Sequence, residues 1–167
     1  MIRHFLLAAF TGLLGLTAAA QTTVEREGEP TVTYAEHGSA MEAAIAEAQA
    51  SFDHFLEAKA AGVAPGESFT VKVGFADNTG SFEHIWVDAV RAKGEGFAGI
   101  LANQPLNLRD YSRLGEPVKF TRDQVSDWGY IDGDRLRGHF TTRLLLGNIP
   151  EDEAAGIAAM LHDQPLP

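Results

Sequence analysis

Three side chains capable of chemistry stand at two-residue spacing in SFEHIWVDAV, residues 81–90: His84, Trp86 and Asp88. Alternate residues of a strand share a face, so the pattern predicts that Phe82, His84, Trp86, Asp88 and Val90 project together, with Glu83, Ile85, Val87 and Ala89 on the core side. An imidazole, an indole and a carboxylate about 7 Å apart can line a binding groove, the indole for stacking and the flanking pair for hydrogen bonds. The plainer expectation, which lone polar residues on strands favour, is that Trp86 covers a second small core and His84 pairs with a neighbouring strand.

A second group is Arg135, Arg137, His139 and Arg143. Read as one continuing strand, residues 135–146 alternate, with Leu136, Phe140, Leu144 and Leu146 on one side and the arginines, His139 and Thr141 on the other. The planar guanidinium suits carboxylate and phosphate, so the row offers an anionic ligand or an acidic partner segment a site, while pairing with the chain's own acids is the favoured expectation.

The other chemistries are weaker. The six histidines, at 4, 37, 54, 84, 139 and 162, show no zinc-type spacing. Only a convergence of His84, Asp88 and His139 from neighbouring strands would gather ligands, and neither metal nor cofactor is expected. Gly94 to Gly99 fits G-x-G-x-x-G, but FAGILAN runs on as a strand where a dinucleotide site needs a helix, so a hairpin turn is expected. G-x-S-x-G is absent, and without cysteine there is no thiol chemistry. A hydrolase using His84 or His139 with Asp88 or Asp127 as acid and base is the catalytic alternative.

These residues need a scaffold, and the hydropathy pattern supplies one. Residues 1–20 run from Arg3 through an apolar stretch to Ala18-Ala19-Ala20, the layout of a signal peptide cleaved before Gln21, so periplasmic or secreted export is expected. Residues 21–38 read as a flexible acidic leader in which Val32 and Tyr34 dock as a short strand. Residues 39–167 read as a single domain. It opens with a helix capped by a Ser39–Glu42 box, with Met41, Ala44, Ile45, Ala48, Phe52, Phe55 and Leu56 on one face and Gly62 and Pro65 ending it. The period then changes to two over Phe69–Phe75, residues 82–90, FAGILAN, Val118–Thr121 and Trp128–Ile131, with a hairpin at Asp132-Gly133. Pro150 opens a final helix through about Leu161. The fold class is therefore α+β, with an N-terminal amphipathic helix, a mostly antiparallel sheet of about five strands and a C-terminal helix. The chain carries a net charge of −10, which as a whole-molecule field disfavours nucleic acid and anionic lipid; after signal-peptide removal no membrane span is expected.

A Phe-x-Val-Lys-type strand (Phe69, Val71, Lys72) precedes a Glu-His-Ile-Trp-Val-type strand (Glu83 to Val87). Gly99, Leu101, Asn103, Pro105, Gly115, Glu116, Val118, Asp127, Trp128 and Gly138 continue the pattern over residues 39–146. In these motifs the chain resembles the bacterial YegJ-like family, a domain of unknown function. It departs at Gly115-Glu116-Pro117, where the family has Gly-Asp, and the helix from Pro150 lies outside it. The resemblance implies a bacterial protein, periplasmic in a Gram-negative source, and supplies no activity, cofactor or catalytic residue. The combined expectation is a small exported binding or interaction protein of unknown ligand or protein partner, whose ligand-binding residues come from His84, Trp86, Asp88, Arg135, Arg137, His139 and Arg143.

Overall fold

The sheet owes its two unlike faces to the period-two stretches. In the computed structural model, which describes residues 22–24, 31–33 and 38–167, β3 (Thr70–Ala76), β4 (Phe82–Lys93), β5 (Gly96–Leu101), β6 (Pro117–Phe120), β7 (Val125–Asp132) and β8 (Arg135–Gly138) pair antiparallel in the order β6-β5-β4-β3-β7-β8. The sheet thus has six strands rather than about five. Ahead of it, β1 (Thr22–Val24) and β2 (Thr31–Thr33) form an antiparallel pair that includes Val32. Tyr34 and the signal-peptide reading of residues 1–20 lie outside the described residues.

Helical periodicity over residues 39–61 yields two helices, α1 (Ser39–Ala50) and α2 (Phe52–Ala61), where one was expected. The break has a cause. Ser51 Oγ donates 2.7 Å to the Glu47 carbonyl, and this back-bonding competes with the helical ladder. The predicted Ser39–Glu42 box does not form, because Ser39 is already inside the helix and the Gly38 carbonyl accepts the first N–H groups, from Met41 and Glu42. Gly62, at φ 65°, ends α2 in the left-handed conformation that releases its last carbonyls to new donors.

Ala48, Phe52, Phe55 and Ala58 of this helical layer cover the side of the sheet that carries Val71, Val73, Ile85, Val87 and Trp128. Aromatic rings dominate the contact: Phe55 sits 5.8 Å from Trp128 and 5.5 Å from Phe69, and Trp128 Nε1 donates to the Ala48 carbonyl.

Two local devices shape the sheet. Between Asp88 and Arg91 the β4–β5 register shifts, two residues of β4 facing the single Gly99, with Ala89 at φ 51°. A side chain on Gly99 would stand 2.6 Å from the Asp88 carbonyl oxygen. The bulge inverts the alternation, so Val90 is buried in the core and does not share the Trp86 face as simple period-two reading predicts. The second device is the short link from β6 to β7. Phe120 and Val125 are about 17 Å apart at full extension, less than the roughly 19 Å that four flat strand spacings require, so the sheet must curl.

Beyond the β7–β8 turn, where Gly133 takes φ 66°, the strand lasts only to Gly138. The expected continuation through Leu146 is instead α3 (Phe140–Leu145), followed by a 3-10 turn and α4 (Glu151–Met160), which starts after Pro150 as expected. No helix among the described residues is long and apolar enough to cross a membrane.

Candidate functional site

On the side of the sheet away from α1 and α2, the antiparallel registers place Trp86, Lys72 and Asp127 side by side on β4, β3 and β7, with His84 and Gly74 in the next row. Gly74 lies under the His84 ring, where a Cβ would come 3.0 Å from Cε1, and the gap lets the ring reach over β3 to β7. There Ser126 Oγ stands 2.8 Å from His84 Nδ1 and 3.2 Å from the Lys72 carbonyl. The Ser126 hydroxyl thus links the His84 ring to the β3 backbone.

Asp127 is fully buried and serves as a hub. Its carboxylate accepts the N–H groups of Trp128, Phe140 and Thr141 at 2.8 to 2.9 Å and the Thr141 hydroxyl at 2.6 Å. It thereby caps α3 from 13 residues away in sequence, a charge-assisted arrangement that fixes the turn out of β8. Lys72 Nζ lies 5.6 Å over the Trp86 ring and 3.4 Å from Thr141 Oγ1. Burial holds its pKa below the usual lysine value, and Asp127 partly offsets that.

His139 closes the cluster. It follows Gly138 at φ 76° with φ 56° of its own, an unusual conformation for a side-chain-bearing residue. Its N–H donates to the Trp128 carbonyl, whose oxygen a Cβ on Gly138 would overlap. The ring lies above Gly129 and 5.1 Å from Trp86. It is 4% exposed, and among the described residues neither ring nitrogen has a hydrogen-bond partner. Burial first, then the positive charges of Arg143 and Lys72, push its pKa down to about 4 against the opposing pull of Asp127.

His84, Trp86 and Asp88 thus share a strand face, with His139 beside Trp86, while the arginines go elsewhere. Tyr130 pairs with Arg137 and Asp132 with Arg135, so both arginines project on the helix side of the sheet, opposite Trp86. Arg137 Nε donates to Asp132 at 2.9 Å and its Nη1 to the Gln164 and Leu166 carbonyls; Arg135 pairs with Asp163. Arg143, on α3 and not on a strand, donates to the Gly138 and His162 carbonyls. A pocket of about 490 Å³ lies among Arg135, Arg137, His162 and the C-terminal residues. Among the described residues no group of three His, Asp or Glu is placed to hold a metal.

Sequence reasoning missed Lys72, Ser126 and Thr141. A charged residue in the middle of a strand as apolar as β3 is the signal that pointed to Lys72. Glu83 was assigned to the core side and does project there, but its carboxylate accepts the N–H groups of Leu106 and Asn107, tying down the long β5–β6 loop. Asn103 of that loop accepts the Trp86 N–H.

Residues 38–160 match the model of a family described as "Uncharacterized protein conserved in bacteria (DUF2314)". The chain is 31% identical to "Uncharacterized protein YegJ" of Escherichia coli over 122 residues, 73% of this chain and 77% of that protein. It is also 32% identical over 71 residues to "Putative ankyrin repeat protein NMB1133/NMB1171" of Neisseria meningitidis serogroup B, 42% of this chain and 28% of that protein. No solved structure matches.

Proposed function

The chain belongs to the DUF2314 family of bacterial proteins, and from that premise we propose that it is an exported binding or interaction protein whose contact surface is the β4 face around Trp86. The observation that carries the reading is the row Phe82, His84, Trp86. Phe82 is 55% exposed and His84 is exposed, while Trp86 is half-buried and held by Lys72 and His139. An aromatic row on a rigid strand, with its indole fixed in place, suits recognition because little side-chain freedom is lost on contact. Asp127 gives its oxygens to the α3 backbone and Thr141, so the face offers binding groups more readily than an acid–base pair.

The test is a melting-temperature panel of the purified protein with divalent metals, phosphate, nucleotides, sugars and cell-wall fragments. A native-state ligand at a hundred times its Kd adds about 2.7 kcal/mol of stability. At least one class should raise the wild-type midpoint and act less on a Phe82→Ser/His84→Ala double variant. Equal shifts in both proteins would move the contact surface off β4. Export is tested separately: mass spectrometry of the protein from the periplasmic fraction should find a chain beginning at Gln21, and an uncleaved, cytoplasmic chain would remove export from the reading.

A further inference from the structure

The bulge in β4 does more than bend the strand. By inverting the alternation it turns Arg91 and Lys93 onto the side that carries Trp86, whereas unbroken period-two spacing would send them toward the core. Arg91 pairs with Ala98, and Ala98 with Lys119, so three exposed cations ring one small residue across β4, β5 and β6. They line a pocket of about 280 Å³ together with Ala98, Gly99 and Tyr111.

Among the described residues, none of these cations has a carboxylate within 4 Å, although the chain carries 23 acids against 13 lysines and arginines. The acids nearest in sequence are Asp88, Glu95 and Glu116. Glu116 is turned into the β5–β6 loop, where its carboxylate accepts the Ser112 and Arg113 N–H groups. Neighbouring strands stand about 4.8 Å apart and alternate residues about 7 Å, so the three flexible stems can converge on one compact ligand. From this pocket we infer that the protein binds a small ligand carrying two or more anionic groups, phosphate or carboxylate, between Arg91, Lys93 and Lys119.

Size selects a small ligand over a large polyanion. Charges are screened beyond about 8–10 Å, so a compact anion senses the three cations, whereas an extended one also meets the surrounding field of a strongly acidic protein. The inference rests on the β4 face being a binding surface, and names the ligand class and the end of the face that takes it.

The experiment measures melting of the full chain in pyrophosphate and in citrate, each against sodium chloride at equal ionic strength to remove general screening. Wild type should melt higher in at least one of the two, and the better anion identifies phosphate or carboxylate as the recognised group. Arg91→Gln/Lys119→Gln, at two exposed positions, should weaken the apparent affinity roughly tenfold or more, since two charge-assisted hydrogen bonds to the anion are lost. Arg135→Gln should leave the shift intact. No shift beyond the salt control, or equal shifts in wild type and the double variant, overturns the pocket. If Phe82→Ser/His84→Ala removes the shift and Arg91→Gln/Lys119→Gln does not, this pocket is wrong and the β4-face reading stands.

Discussion

The two sides of the central strands solve opposite problems with the same backbone. Toward α1 and α2, Val71, Val73, Val87, Phe55 and Trp128 meet in dry contact, and any apolar set of the right volume would do much of that work. On the other side Lys72, Asp127 and His139 are drawn out of water, and each must find specific partners or change its protonation. Asp127 finds four donors, Lys72 finds a ring and a hydroxyl, and His139 gives up its charge. The helix side is stabilised by area, which is tolerant; the polar side is held by hydrogen-bond count, which is not.

The sharpest way to break this contrast is to delete one residue from each side. Phe55→Ala should destabilise by about 3–5 kcal/mol through the cavity it leaves. Asp127→Ala should destabilise by a similar 3–5 kcal/mol, because it strands buried N–H groups and leaves Lys72 without its counter-charge. Denaturant unfolding compares them, and a loss under about 1 kcal/mol for Asp127→Ala would mean the polar side relaxes as freely as water.

Next in size is the Gly138 pinch. Gly138→Ala puts a methyl against the Trp128 carbonyl oxygen at a residue with φ 76°, and should cost roughly 2–4 kcal/mol, whereas alanine at Gly147, which meets nothing within 4 Å, should cost little. Similar midpoints for the two variants would show that the chain leaves β8 by another route.

The pH dependence comes third. His139 titrates at about 4 when folded and near 6.5 when unfolded, so between those values the unfolded chain binds more protons and stability falls as pH falls. At pH 7 nothing is lost on this account; by pH 4.5 the loss is about 2–3 kcal/mol. His139→Asn keeps a side chain that tolerates positive φ and removes the titration. Its unfolding free energy should drop less between pH 7 and 4.5 than that of wild type, and parallel drops would show that His139 is not held neutral. The smallest effect belongs to an exposed pair: Arg135→Gln, which frees the well-exposed Asp163, should leave the melting temperature unchanged.

How much of this was legible depended on how far each feature's cause lies along the chain. The hairpin glycines 94 and 133, the Gly62 stop and the period of β3 are local and were read correctly. The stretch RLRGHFTTRLLL reads as an alternation, and period alone carries the strand on to Leu146 where the chain instead turns into a helix. The choice was made by Asp127, which waits with two oxygens for the N–H groups of Phe140 and Thr141. The bulge at Ala89 announced itself by no residue of its own; its cue was Gly99 on the partner strand, where any side chain would meet Val87 and the Asp88 carbonyl. Of the candidate site, His84, Trp86 and Asp88 were found together because one strand's period places them. The arginine row was misplaced because the face of Arg135 and Arg137 is set by pairing with Tyr130 and Asp132.

By itself the sequence determined the α+β class, the antiparallel hairpins, the helical character of residues 39–61, the start of the last helix after Pro150 and the membership of a bacterial family, since each rests on local period, turn chemistry or residue-by-residue match. Only the tertiary structure decided which side of the sheet each charge occupies, because a single bulged residue or one buried carboxylate reverses the direction of everything after it. The same dependence gathered Arg91, Lys93 and Lys119 around one pocket: they lie up to 28 residues apart in the chain, and register alone makes them neighbours.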